Sequence, residues 1–153
     1  MAKRAKIGDI VEISTTKGLA YAQLTHKHPM YGELVRVVEG FHSVRPAIGD
    51  VADRDTRFVT FFPLTAAVSR GIFQIVGNAP VPEPSKQFPI FRSGTPDPQT
   101  KKVANWWLWD GQNEWRVPSL SPEQQKYPIL GIWNDTLLVE RLEQGWKLED
   151  ADW

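Results

Sequence analysis

Cysteine is absent from this chain of 153 residues, which excludes disulfides and thiolate metal sites and suits a reducing compartment. Long hydrophobic runs are missing as well. No stretch of about 18 apolar residues is there to cross a membrane as a helix. The opening Met1-Ala2-Lys3-Arg4-Ala5-Lys6 is basic, but no apolar segment of about 7–15 residues follows it, so residues 1–6 read as a basic arm and not as a secretory signal. A cytoplasmic protein with no membrane partner is expected. Nor is there an excess of one charge: Lys plus Arg number 18, as do Asp plus Glu. Binding to phosphate backbones calls for a basic excess or stripe, so nucleic acid is not an expected partner.

Catalytic signatures are lacking too. Without cysteine there is no thiol nucleophile, and the Gly-x-Ser-x-Gly elbow of a serine hydrolase does not occur. No glycine-rich phosphate loop is present; Gly8, Gly18, Gly32 and Gly40 are spaced as turn glycines. His26 and His28 would lie on one side of an extended segment, but no third ligand is given by the spacing, so a polar turn with satisfied imidazoles is expected. Asp50, Asp53 and Asp55 have neither the spacing nor the glycine of a calcium loop. They read as a solvated acidic loop within residues 45–57, able to speed the approach of a basic protein. No metal, cofactor or enzymatic activity is expected.

What the chain does have is β-branched and aromatic residues between turn signals. Residues 7–13 form a strand that alternates imperfectly, Thr15 to Gly18 a turn, and residues 19–24 a second strand, stopped by His26-Lys27-His28-Pro29. Residues 34–38 and 57–62 add two more strands. Pro63 and Gly71 bracket a short helix over 64–70, and 72–76 returns as a strand. The expected class is α+β, dominated by β structure: a small SH3-like barrel or meander, then a tryptophan-rich hairpin and short helices, all in one domain. Six of the twelve prolines fall between Pro80 and Pro98. Residues 79–102 are either a linker or a packed extended arm. Phe88, Ile90 and Phe91 favour the arm, because a free linker has no use for them.

Seven tryptophans are the compositional oddity. Four belong to a hairpin over 103–117 that turns around Asp110-Gly111. Alternation places Trp106, Leu108, Trp115 and Val117 on an apolar face and Trp107, Trp109, Glu114 and Arg116 on an amphipathic one. A two-residue loop would set Trp106 opposite Trp115; a four-residue loop would set Leu108 there and Trp107 opposite Arg116. The amphipathic face is either covered by the C-terminal segment through Trp133 or Trp146, or is a contact surface for a protein partner, since Trp and Arg are enriched at interface hot spots. Asp50, Asp53 and Asp55 are the second candidate surface. Ser121-Pro122 starts a short helix, and Asn134 or Asp135 caps a last one ending before Gly145, with Leu138 and Leu142 on one face. Residues 137–139 are also compatible with a strand.

Several of these segments together form a pattern: Gly8-Asp9-Ile10-Val11-Glu12-Ile13, Leu19-Ala20-Tyr21-Ala22-Gln23, Phe61-Phe62-Pro63-Leu64 running to Gly71, Ile75-Val76-Gly77-Asn78, and Phe88-Pro89-x-Phe91. Over residues 7–92 this pattern resembles the immunity protein 26 family of bacterial polymorphic-toxin systems. The resemblance implies a small β-rich cytoplasmic protein that binds a cognate toxin and blocks it. A general β-barrel module binding a protein or peptide in an aromatic groove is the alternative.

Overall fold

The computed structural model describes residues 4–150; of the basic arm, Met1-Ala2-Lys3 lie outside them. Strands β1 (Asp9–Thr15), β2 (Gly18–His28), β3 (Gly32–Val38) and β4 (Thr56–Phe61) form an antiparallel meander. β5 (Gln74–Asn78) returns beside β1, giving the order β4-β3-β2-β1-β5. β4 and β5 are therefore the two edges, and the sheet does not close into the expected barrel. A second antiparallel sheet has the order β6-β7-β8, from Phe91–Ser93, Trp106–Trp109 and Glu114–Val117.

The imperfect alternation of the first strand has a physical cause: this sheet is covered on both faces. Val11, Ile13, Ala22, Leu24, Val35 and Val37 pack on one face beneath helices α2 (Leu64–Ser69) and α4 (Asp135–Glu143). On the other face, Ile10, Tyr21 and Val38 pack against Val51 and Ala52 of helix α1 (Ile48–Ala52). Residues 45–57 are thus not all loop, as expected, because α1 uses two apolar residues to cover that face. Leu34 and Phe61 carry the same face on to Phe91 and Trp109 of the second sheet. Between these two apolar groups sits a polar pair. Arg36 is fully buried and donates through Nε to Gln23 Oε1 at 2.8 Å, and through its Nη atoms to the carbonyls of Ala52 and Arg54 and to Thr56 Oγ1 at 2.7–3.2 Å. Gln23 in turn donates to the Ala79 carbonyl at 2.9 Å. Burial holds the Arg36 pKa below its ordinary value.

The turns and caps follow local chemistry. Asp9 accepts from Lys6 N–H at 2.8 Å and from Asn78 Nδ2 at 2.9 Å, a structural role at the edge of β1. Ile7, placed in the first strand by the sequence, precedes it and is exposed. Ala5 is buried, with its N–H on Thr65 Oγ1 at 3.3 Å, so the described part of the basic arm is anchored. β2 runs through His28 before breaking, four residues beyond expectation, because the disruptive proline comes only at position 29. α2 and α4 both end on a left-handed glycine: Ile72 N–H bonds the Ala67 carbonyl across Gly71, and Trp146 N–H bonds the Arg141 carbonyl across Gly145. Asn134 Oδ1 caps α4 through Leu137 N–H at 2.7 Å, so residues 137–139 are helix. Helix α3 (Glu83–Lys86) and strand β6 both lie in the proline-rich arm. The arm packs on its own chain through Phe91, which is buried, and Phe88, which is half-buried.

Candidate interaction cleft

The tryptophan hairpin takes the four-residue register: Trp107 lies opposite Arg116, Leu108 opposite Trp115 and Trp109 opposite Glu114. Asp110 selects it, with Oδ1 accepting from Gln112 and Asn113 N–H at 2.9 and 2.8 Å. These bonds hold the Asp110 carboxyl below its usual pKa, that to Asn113 most. The two-face description holds for direction but not for burial. Trp109 is only 9% exposed, with Tyr31 at 4.9 Å, His28 at 4.8 Å and Phe88 at 5.5 Å between ring centres. It belongs to the core and cannot serve as a contact residue, because the proline arm and the β2–β3 turn close over that end of the hairpin. Trp107 is 40% and Trp115 37% exposed, on opposite sides. Glu114 and Arg116 are exposed beside Trp107 and Trp109. The expectation that Trp133 or Trp146 covers this face is corrected: both pack against Phe58 of the first sheet, at 5.1 and 5.4 Å.

Of the acidic residues, Asp50 lies in α1, Asp53 caps its C-terminal end, and Asp55 follows in the loop before β4. All three are exposed. Asp55 lines a depression with Glu39, His26 and Phe88; the hairpin residues Trp107, Glu114 and Arg116 do not border it, so the two candidate surfaces are not joined there. His26 and His28 both face Phe88, at 5.4 and 5.9 Å. Their ring nitrogens are engaged by the protein, with His26 Nε2 on the Lys86 carbonyl and His28 Nε2 on the Gly111 carbonyl. Since His28 Nδ1 accepts from Met30 N–H at 3.1 Å, its proton sits on Nε2. Among the described residues no group of three His, Asp or Glu is placed to hold a metal.

A different site emerges at the outer edge of β4. Phe62 N–H bonds the Glu33 carbonyl across the β3–β4 ladder at 2.9 Å, while the Phe61 carbonyl turns outward to accept from Trp133 N–H at 3.0 Å. Ladder alternation then turns the N–H and C=O of Val59 outward, and they have no partner among the described residues. Arg57 is the extra residue of a bulge, since Val37 pairs with Phe58 and Val38 with Thr56. Bulges re-aim side chains; here both Arg57 and Phe58 line the cavity beside the edge.

That cavity, of about 710 Å³, lies toward α4. Arg141 lies there against the rings of both Trp133 and Trp146, at 4.4 and 4.9 Å from their centres, and the two rings meet edge to face at 5.2 Å. The Gly145 cap builds this arrangement, because it folds the residue after the glycine back over Arg141. Arg57 adds a bond from Nη2 to the Trp146 carbonyl at 3.0 Å. A second depression, of about 980 Å³, is lined by Phe88, Pro89, Ile90 and Tyr127. Thr56, Val59 and Pro128 line both. Phe58 packs with the core under α4 and Val59 with the core toward the proline arm, so the two hollows open on opposite sides of the edge. A third, of about 1180 Å³, shares Arg57, Lys126 and Leu148 with the first. In it Arg57, Lys102, Lys126 and Lys147 stand against Glu39 and Glu149. The ion pairs among the described residues, Arg45–Glu12 and Lys86–Glu83, use none of these cations.

The sequence reading missed this cleft. Its edge is created by sheet order, and no local motif reports sheet order. Trp133 and Trp146 were the visible signal, and alternation within one hairpin attached them to the wrong sheet. Comparisons with protein-family models, with curated proteins and with solved structures find no match to this chain.

Proposed function

We infer that this chain is a non-enzymatic binding protein that acts in the cytoplasm and neutralises a cognate bacterial toxin by direct contact. The observation that carries the binding part is the open edge of β4 between two hollows, beside cations with no ion-pair partner among the described residues. A stoichiometric inhibitor needs a rigid scaffold and one surface of about 800 Å² on each partner. The resemblance of the turn and strand motifs to the immunity protein 26 family supports the toxin part. The SH3-like description of the β1–β4 meander belongs to the same reading, supported by its up-and-down order. Trp107 with Glu114 and Arg116, and Asp50, Asp53 and Asp55, are secondary contact surfaces.

The test is co-expression with the product of the neighbouring gene. Growth restored by this chain, together with a one-to-one complex of the purified proteins, is the expected result. Neither rescue nor complex from either neighbour would overturn the toxin reading. The general peptide-binding module, which the aromatic lining of the cleft favours, would then take its place.

A further inference from the structure

We propose that the partner is held by strand addition: an extended segment of another protein, alternating apolar and acidic residues, pairs with the outer edge of β4. This rests on the binding reading above and names the chemistry of the same cleft.

Three observations define the occupant. The outward N–H and C=O of Val59 are a donor and an acceptor at strand spacing, and an extended chain satisfies both at once. Hollows on opposite sides of the edge match the period of two in such a chain, whose successive side chains point to opposite faces. The hollow of Phe88, Pro89 and Ile90 suits apolar side chains, and Glu39 and Asp55, which line it too, disfavour carboxylates there. On the other side, Arg57, Arg141 and Lys126 line the first cavity against Glu140 and Asp150, with Lys126 on the rim shared with the third, and this small cationic excess suits a carboxylate. Arg57 and Arg141 are already oriented, by the Trp146 carbonyl and by the two indole rings. A guanidinium held in place loses less freedom when it meets a carboxylate. A helix does not fit these observations, because its backbone groups bond internally and leave Val59 unpaired.

The probe is a blocked hexapeptide of alternating valine and glutamate, with a lysine-for-glutamate version as its control. At a tenfold excess over its dissociation constant, the glutamate peptide should slow exchange of the Val59 amide about tenfold. The amides of β8 should keep their rates. The lysine peptide should bind at least about tenfold more weakly, because like charges meet at the rim. Val59→Pro removes the edge donor without removing a ladder bond; with no amide left at 59, its readout is binding of the glutamate peptide followed by tryptophan fluorescence, which should be lost. Lys126→Glu should weaken binding and flatten its salt dependence, which keeps the test decisive if the proline variant does not fold.

Absence of protection at about 1 mM peptide, a millimolar constant being the weakest binding of interest, overturns the proposal. So does equal binding of the lysine peptide. Protection of Val59 that grows with protein concentration alone would show that a second copy of the chain occupies the edge, and overturns it as well. The two readings separate cleanly. A toxin complex unaffected by Val59→Pro and Lys126→Glu removes strand addition and keeps the binding reading. Peptide binding without any toxin removes only the toxin.

Discussion

Two of the edge strands, β8 and β4, have opposite designs. β8 is four residues long, reads Glu-Trp-Arg-Val, and is exposed along most of its length. Short length and charge are the usual devices that keep an edge from pairing with other chains. β4 reads Thr-Arg-Phe-Val-Thr-Phe, which is strongly β-forming and carries no proline, lysine or glutamate. It is blunted by the bulge at Arg57, by the bridge of Phe61 to Ile132, and by recess, because residues 127–133 and the α4 cap stand around it. An edge left pairable but set in a cleft admits a single extended segment and shields against sheet-to-sheet growth. That difference favours β4 over the more conspicuous tryptophan hairpin for the proposed strand addition.

The largest effect that would break this comparison lies in the hairpin itself. Trp109→Ala should cost about 3–5 kcal/mol, as for other large aromatic truncations in a core. Trp107→Ser should cost less than about 1 kcal/mol, as a surface change does. Urea denaturation of both variants decides it. A large loss with Trp107→Ser would place it in a core that the geometry does not show.

Next in size is the buried guanidinium that holds the start of β4. Arg36→Met leaves the carbonyls of Ala52 and Arg54 without their donor, at about 1–3 kcal/mol for each unsatisfied group. Arg36→Lys should not rescue it, because an ammonium cannot reproduce the fork. Equal stability of the lysine variant and the parent would show that charge alone matters there. Smaller again is Asn134→Ala, which removes the cap of α4 and should cost about 1 kcal/mol. Since α4 carries Arg141, this variant should also raise local exchange around Trp133 while β8 stays unchanged. Loss of protection in both edges together would show that the two regions unfold as one unit.

The contrast also explains what could be read from the residues alone. Features set by local chemistry were legible: a cap at Asn134 or Asp135, the glycines that end α2 and α4, and the arm anchored by Phe88 and Phe91. Alternation gave the directions of the hairpin side chains, and Asp110 decided between two registers that spacing left open. Burial was not legible where distant segments decide it. Trp109 is covered by residues from the β2–β3 turn and the proline arm, and nothing in Trp-Trp-Leu-Trp marks which end they cover. No local signal in Leu34-Val35-Arg36-Val37-Val38 marks Arg36 for burial. It is buried because α1 and residues 79–80 close that face, and α1 itself was hidden by the acidic character of residues 45–57. The closed barrel failed for a related reason: an up-and-down meander with both faces covered by helices and turns needs no closure to bury its residues.

The smallest expected effect is a pH response confined to the first sheet. His42 joins β2 through paired backbone bonds with Leu19, at 2.8 and 2.9 Å, and its ring meets Tyr21 at 5.7 Å. Its Nε2 is buried without a hydrogen-bond partner. Desolvation first, and the nearby Arg54 second, hold its pKa below the ordinary histidine value of 6.5. Just below that pH the unfolded chain binds more protons than the folded one, so stability is fully present above 6.5 and declines as pH falls through the lowered value. Glu12 adds a separate, more acidic step. The hydrogen bond from Arg45 holds it below the ordinary 4.5, so its contribution is present above 4.5 and is lost as pH drops through its own lowered value. His42→Gln should therefore flatten the urea midpoint between about pH 6.5 and 5 and leave the acid step in place. Exchange rates should show the loss in β1 to β3 and not in the β7–β8 hairpin, which has no histidine of its own. A parent protein with a flat midpoint across that window would mean that His42 finds a proton acceptor on folding, and the solvent-shielded face beside α1 would have to be redrawn.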